Sequence, residues 1–221
     1  ALMIVMALVL WRKLPKHHQK TDLNYPQLLK SIFALFIHTP VLRTRALIGM
    51  FCFANFSILW TSMAFLLAGP AYHYSEGVIG LFGLVGAAGA LAATRAGHLA
   101  DKGKAHLTTT VGLVLLLLSW IAIAWGQHSV IALIIGIIVL DLSVQGVHIT
   151  NQSVIYKTMP EARNRLTAGY MTTYFIGGAV GSLVSASAYQ AAGWYGVSAA
   201  GTVMCVLNLL VWWKGHKYTL V

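Results

Sequence analysis

Four polar residues recur along one apolar stretch at intervals of four, three and four: Asp141, Gln145, His148 and Gln152. On a helix that spacing lines one face, so a carboxylate, an imidazole and two amides share a stripe. Such a set can take up and release a proton, or hold a polar or cationic solute by charge and hydrogen bonds. Asp141 stands 12 residues beyond Ser129, which is about 18 Å of helix and close to the middle of a bilayer. An aspartate at that depth costs about 3 kcal/mol against lipid, so the stripe must face protein or water. One reading is a cavity wall in which Asp141 exchanges a proton or contacts a cationic solute. The other is a buried hydrogen-bond ladder between helices, each bond contributing about 0.6 kcal/mol. Neutral amides alone would build a ladder, and the ionisable group therefore favours the cavity wall. Asn55 and Tyr174, on neighbouring apolar stretches, are candidate partners in either case.

A second charged group, GHLADKGK at 97–104, lies between two long apolar runs. Its Asp101 precedes a predicted helix, where the macrodipole favours a carboxylate by about 0.3–1 kcal/mol. A solvated turn between helices, with Gly97 and Gly103 at their ends, would use the same residues.

The elements that must carry these groups follow from composition. The chain of 221 residues is 58% hydrophobic and only 9% charged, with mean hydropathy +0.74. That is more apolar side chain than one globular core can bury. A span needs about 20 apolar residues, and stretches 46–68, 77–94 and 107–125 contain no Asp, Glu, Lys or Arg. Stretch 129–156 contains only Asp141, and 166–213 is uncharged but too long for one crossing. AAGWYGVS breaks the last, with Gly193 and Gly196 for the turn and Trp194 and Tyr195 suited to the interfacial belt. Six spans are predicted within 46–213, in an all-α polytopic membrane bundle.

The opening ALMIVMALVLW is 11 residues long, too short to cross, and the basic Arg12, Lys13 and Lys16 follow it. It reads as the end of a truncated transmembrane helix, and the chain as a fragment. Residues 12–45 form a basic cytoplasmic linker and 214–221 a cytoplasmic tail. Within the linker Leu28, Leu29, Ile32, Phe33, Leu35 and Phe36 pattern an amphipathic helix stopped by Pro40. This is either an interfacial helix on the inner leaflet or an elongated start of the next span.

Charge tests the topology. With residue 11 leaving on the cytoplasmic side, segments 12–45, 95–106, 157–165 and 214–221 hold seven, three, three and two Lys and Arg, accounting for all 15. The opposite loops hold none, as the positive-inside rule requires. Both ends of the fragment are then cytoplasmic, in a cell inner membrane. The formal net charge of +10 is explained by topology, which removes the case for nucleic acid. Cys52 and Cys205 fall inside spans, and His17 and His18 sit in a basic loop, so no disulfide framework or metal site is indicated. The nucleophile-elbow, phosphate-loop, zinc-protease and dinucleotide signatures are missing. GGAVGS at 177–182 and the three-residue series Gly80, Gly83, Gly86 and Gly89 read as helix-packing surfaces. No catalytic residue, cofactor or metal ligand is predicted.

GHLADKGK resembles the loop signature of the major facilitator superfamily, G-x-L-A-D-[RK]-x-G. Gly97, Leu99, Ala100, Asp101 and Lys102 match in place, Gly103 arrives one residue early, and the trailing basic pair is reduced to Lys104. YKTMPEARNRLTAGYMTTYFIGGAVGS is similar to the segment between spans ten and eleven of drug-efflux-type members, through Pro160, Glu161, Ala162, Arg163 and Arg165 with Gly177, Gly178 and Gly181. The resemblance covers nearly the whole chain. It implies the second six-helix half of a twelve-helix secondary transporter exporting small solutes or drugs, coupled to protons, with a missing N-terminal half as partner. It also implies that Asp101 latches the two halves at the cytoplasmic side during alternating access. Two alternatives stay open: a truncated, transport-inactive product of a disrupted gene, and a polytopic membrane enzyme or receptor.

Overall fold

The computed structural model describes residues 2–13, 24–92 and 98–215, and they are helical with short connections. The elements are α1 (Leu2–Lys13), α2 (Tyr25–His38), α3 (Pro40–Ala68), α4 (Glu76–Ala92), α5 (Ala105–Ala124), α6 (Val130–Thr158) and α7 (Arg163–Gly215). The chain divides into two units at Lys30, the first holding α1 and the opening of α2 and the second everything that follows. Gly97, His17, His18 and residues 216–221 of the predicted tail lie outside the described residues.

Local chemistry sets the ends of these helices. Pro40 is at the start of α3 and Thr39 before it is extended, at φ −116° and ψ 90°. A proline has no N–H to leave unpaired and its ring presets the helical φ, so Pro40 opens the next helix as well as closing the previous one. The first long apolar helix therefore starts six residues before Ala46, and Arg43 and Arg45 lie inside it. Gly69 ends α3, its N–H bonded to Phe65 O. Ser129 caps α6 by accepting the Ala132 N–H at 3.3 Å. The 53 residues of α7 are interrupted at Ala192 (φ −147°, ψ 23°) and Gly193 (φ 57°, ψ −144°), which makes two arms, 163–191 and 194–215. Glycine alone adopts the Gly193 conformation without strain. Among the described residues, four helical stretches are long and apolar enough to cross a membrane: Pro40–Ala68, Lys102–Gln127, Val130–Thr158 and Pro160–Gly215. Glu76–Gly89 is a shorter apolar one.

Within the second unit α3 packs along α7, α5 along α6, and α4 against α6. Two apolar clusters fill the interior. The larger joins α3, α5, α6 and the second arm of α7 around Leu59, Leu116, Trp120, Ile137 and Val197. The smaller joins the end of α2 to α3, α6 and the start of α7 through Leu35, Leu42, Ile155, Leu166 and Tyr170. On α2, Leu35 faces this cluster while Phe33 and Ile37 remain exposed. Of the two aromatics at the break in α7, Tyr195 is exposed and Trp194 is not. The Trp194 indole turns inward and donates to Ile123 O at 2.7 Å, closing the end of α5.

Candidate functional site

Asp141 lies halfway along α6, buried, with α4 crossing its side chain. A Cβ at Gly86 would collide with Asp141 Oδ2 and the Trp60 ring, and one at Gly89 would come within 2.6 Å of Ile138 O. These two glycines let the α4 backbone settle onto the carboxylate. Gly83 differs, because a Cβ there would meet nothing within 4 Å. From α3, Trp60 Nε1–H donates to Asp141 Oδ1 at 3.3 Å. Beside this contact opens a recess of about 330 Å³ lined by Phe56, Trp60, Gly83, Gly86, Ala87, Asp141 and Gln145.

The predicted stripe continues along α6 into two further settings. His148 Nδ1 lies 3.0 Å from the Tyr170 hydroxyl, and its ring lies 4.7 Å from that of Tyr174. Tyr174 stacks on Phe53 at 4.3 Å. Gln152 lines a separate recess of about 340 Å³ with Ile149, Ser153, Tyr156, Lys157 and Arg163. The helix thus brings Asp141 to Gln145 and His148 to Tyr174, and sets Gln152 apart. Asn55 does not join the stripe. Its Oδ1 accepts from Trp120 Nε1 at 2.8 Å and from Cys205 Sγ at 3.2 Å, and its Nδ2 donates to Phe51 O. Those bonds tie α3 to α5 and α7.

At the predicted gating loop, Ala100–Lys104 form a tight turn into α5, with Gly103 at φ 80°. Leu99, Lys102 and Gly103 are exposed there, and the backbone sets Asp101 four residues ahead of Ala105. In the second predicted loop Pro160–Ala162 make one 3₁₀ turn. Glu161 is exposed, Ala162 is buried, and the Arg163 guanidinium lies 4.3 Å from the centre of the Tyr156 ring. A charge over that ring face is attracted by its quadrupole. Arg165 is half-buried.

Sequence reasoning missed Arg45. It is 0% exposed; its Nη1 donates to Thr109 Oγ1 at 2.7 Å and Asn151 Oδ1 at 3.2 Å. Its guanidinium lies 5.1 Å from the Trp212 ring centre. Arg45 Nε and Nη2 have no hydrogen-bond partner among the described residues. Its position five residues past Pro40 was the available signal. Trp60 was missed as well, because nothing in the sequence sets it apart from the other aromatics of its span.

An all-helical bundle of membrane-length apolar helices, carrying a carboxylate inside one of them, defines a multi-pass membrane protein with a polar interior site. The family model described as Major Facilitator Superfamily matches residues 1–159 and again 96–219, and the chain belongs to that superfamily. It is 69% identical over 214 residues to "Uncharacterized transporter YgaY" of Escherichia coli O157:H7, covering 97% of this chain and 54% of that protein. Identity and coverage are the same for "Putative uncharacterized transporter YgaY" of Escherichia coli strain K12. "Probable transporter SCO4007" of Streptomyces coelicolor is 32% identical over 158 residues, 71% of this chain and 36% of that protein. The chain spans about half the length of the two Escherichia coli relatives.

Proposed function

We propose that residues 1–221 supply the second half of the solute pathway of a proton-coupled secondary carrier that exports small solutes, working by alternating access in the cell inner membrane. Asp141 is the coupling residue. The observation that carries this reading is the placement of its carboxylate: mid-helix, held by one indole N–H, at the wall of an open recess. An ionisable group kept inside a membrane helix is costly and marks an ion or substrate path. The names of the relatives, all called transporters, support the class.

The test is Asp141→Asn in the complete gene product, reconstituted in liposomes. Loss of proton-driven transport, with unchanged expression and melting temperature, is expected. Unchanged transport would leave Asp141 as packing.

Asp101 is the cytoplasmic latch on this reading, supported by the loop motif and by the break in helical geometry at Lys102 and Gly103. Asp101→Asn should raise cysteine accessibility from the cytoplasmic side without affecting insertion, because a contact made in only one state biases the equilibrium between states. Equal accessibility in both proteins would remove the latch.

A further inference from the structure

Resting on that reading of Asp141, we propose that Arg45, Asn151 and Tyr170 are positioning residues that fix the proton of His148 on Nε2, leaving Asp141 as the group of the α6 stripe that exchanges a proton. The side chains form one hydrogen-bonded chain through α3, α6 and α7. Arg45 on α3 donates from Nη1 to Asn151 Oδ1 at 3.2 Å, Asn151 Nδ2 lies 3.4 Å from the Tyr170 hydroxyl, and that hydroxyl lies 3.0 Å from His148 Nδ1. Arg45, Asn151 and Tyr170 are buried, so bulk water offers them no substitute partners. Gly49 on α3 makes room where the chain turns, since a Cβ there would lie 2.6 Å from the Tyr170 hydroxyl oxygen.

The direction of the chain follows from what each group can do. A guanidinium only donates, so the Asn151 atom facing Arg45 is the amide oxygen, and the amide nitrogen is then turned to Tyr170. Thr109, the other partner of Nη1, agrees with this: it accepts from Arg45 at 2.7 Å and gives its own proton to Ala105 O at 2.8 Å. An amide nitrogen only donates, so the Tyr170 oxygen accepts from Asn151 and its single proton must go elsewhere. Among the described residues His148 Nδ1 is the acceptor in reach, and a buried hydroxyl proton left unpaired is costly. Nδ1 therefore accepts. A neutral imidazole has one N–H, so the His148 proton sits on Nε2. A second proton could enter only at Nδ1, where it would strand the Tyr170 proton. Among the described residues, the titratable or charged groups around His148 are Tyr170 and Tyr174 on α7, Arg45 and Cys52 on α3, the last beside both tyrosines, and Asp141 seven residues back on α6. With Nε2 filled and Nδ1 engaged, His148 has no open nitrogen, and proton exchange is left to Asp141.

The experiment reads the imidazole nitrogens of His148 by nitrogen NMR in the purified complete gene product labelled at histidine, with His148→Gln identifying the signal. At a pH of about 6.5, where an unperturbed histidine is about half protonated, the parent protein should show Nδ1 without a proton. Tyr170→Phe, which removes the hydroxyl at nearly the same volume, should raise the proton-bearing fraction of Nδ1 at least about fivefold. Arg45→Met, which frees the Asn151 amide to turn over, should move it the same way by at least about twofold. Tyr174→Phe is the control: its ring lies 4.7 Å from the imidazole but outside the chain, and the signal should not change. Thermal melting checks that each variant is folded, and Tyr170→Phe decides the matter if the arginine variant is not. A proton on Nδ1 in the parent protein, no response to Tyr170→Phe, or the same response to Tyr174→Phe would each overturn the proposal. So would an unchanged signal in folded Arg45→Met. Transport coupling separates the two readings. If Asp141→Asn loses proton-driven transport while Nδ1 of the parent protein carries a proton, the positioning chain fails and the carrier reading stands. If Nδ1 is bare and Asp141→Asn keeps proton-driven transport, Asp141 as the coupling residue fails and the hold of the chain on His148 stands.

Discussion

Arg45 and Asp141 are both buried inside the bundle, at 0% and 3% exposure, so burial does not tell them apart. Their surroundings do. Arg45 sits where α3, α5, α6 and α7 meet, fastened by Thr109 and Asn151 and set beside the Trp212 ring. Among the described residues Asp141 has one hydrogen bond, from Trp60, and an opening at its side. A charge tied to three neighbouring helices acts as a structural joint, whereas a charge beside space is available to something that arrives. In a membrane protein the informative feature of an interior charge is the number of fixed partners it has.

The largest expected effect breaks the joint. Arg45→Ala removes two charge-assisted bonds and leaves a void beside Trp212, costing about 3–5 kcal/mol; thermal melting in detergent reads this as a large drop. Arg45→Met keeps the volume without the charge and should recover most of it, since apolar replacement of a buried charge is often neutral. If both variants melted like the parent protein, Arg45 would not be a joint. Next in size is Gly86→Ala, whose Cβ must displace Trp60 or Asp141; overpacking of this kind costs about 1–3 kcal/mol. Gly83→Ala should be neutral or gain up to about 1 kcal/mol, so the same change three residues apart gives opposite signs in a paired melt. Asn55→Leu should cost about 1–3 kcal/mol by orphaning the Trp120 N–H, with less effect on transport than Asp141→Asn.

The smallest effect lies away from both regions. Tyr72 hydroxyl donates to Gly126 O and joins the loop after α3 to the end of α5. Burial, and then the neighbouring Tyr74, push its pKa above the ordinary tyrosine range. The folded state therefore favours the protonated hydroxyl. The bond's contribution is complete below the unfolded tyrosine value near 10 and fades as pH rises through the higher folded one. Tyr72→Phe should flatten that alkaline loss and cost about 1 kcal/mol at neutral pH, checked by melting across the alkaline range.

The helical class was legible because charge-free runs of membrane length leave few other folds. Spacing set Asp141, Gln145, His148 and Gln152 on one face of α6, but spacing along one helix says nothing of which neighbours cross it, so the contacts of Asp141 with Trp60 and of His148 with Tyr170 come from the structure alone. Asn55, a candidate partner by its span alone, shows this. It shares a mid-span depth with Asp141, yet its face of α3 turns toward Trp120 and Cys205. Arg45 was hidden by a boundary. Counting the span from the first uncharged residue left the arginine in the linker as one more cytoplasmic charge, while Pro40 had already begun the helix. Trp194 was placed at the membrane surface on residue type, and the turn at Gly193 redirects it inward.

Gly177 and Gly181 on α7 press so closely on Met50 and Ala54 of α3 that a Cβ at either would run into the α3 backbone. Two helices in backbone contact have no layer of side chains between them to act as a bearing. They resist sliding along each other, as two notched rods do when the notches are engaged. The pair is then the stiff keel of the bundle, and any rocking it undergoes is transmitted whole from one membrane surface to the other.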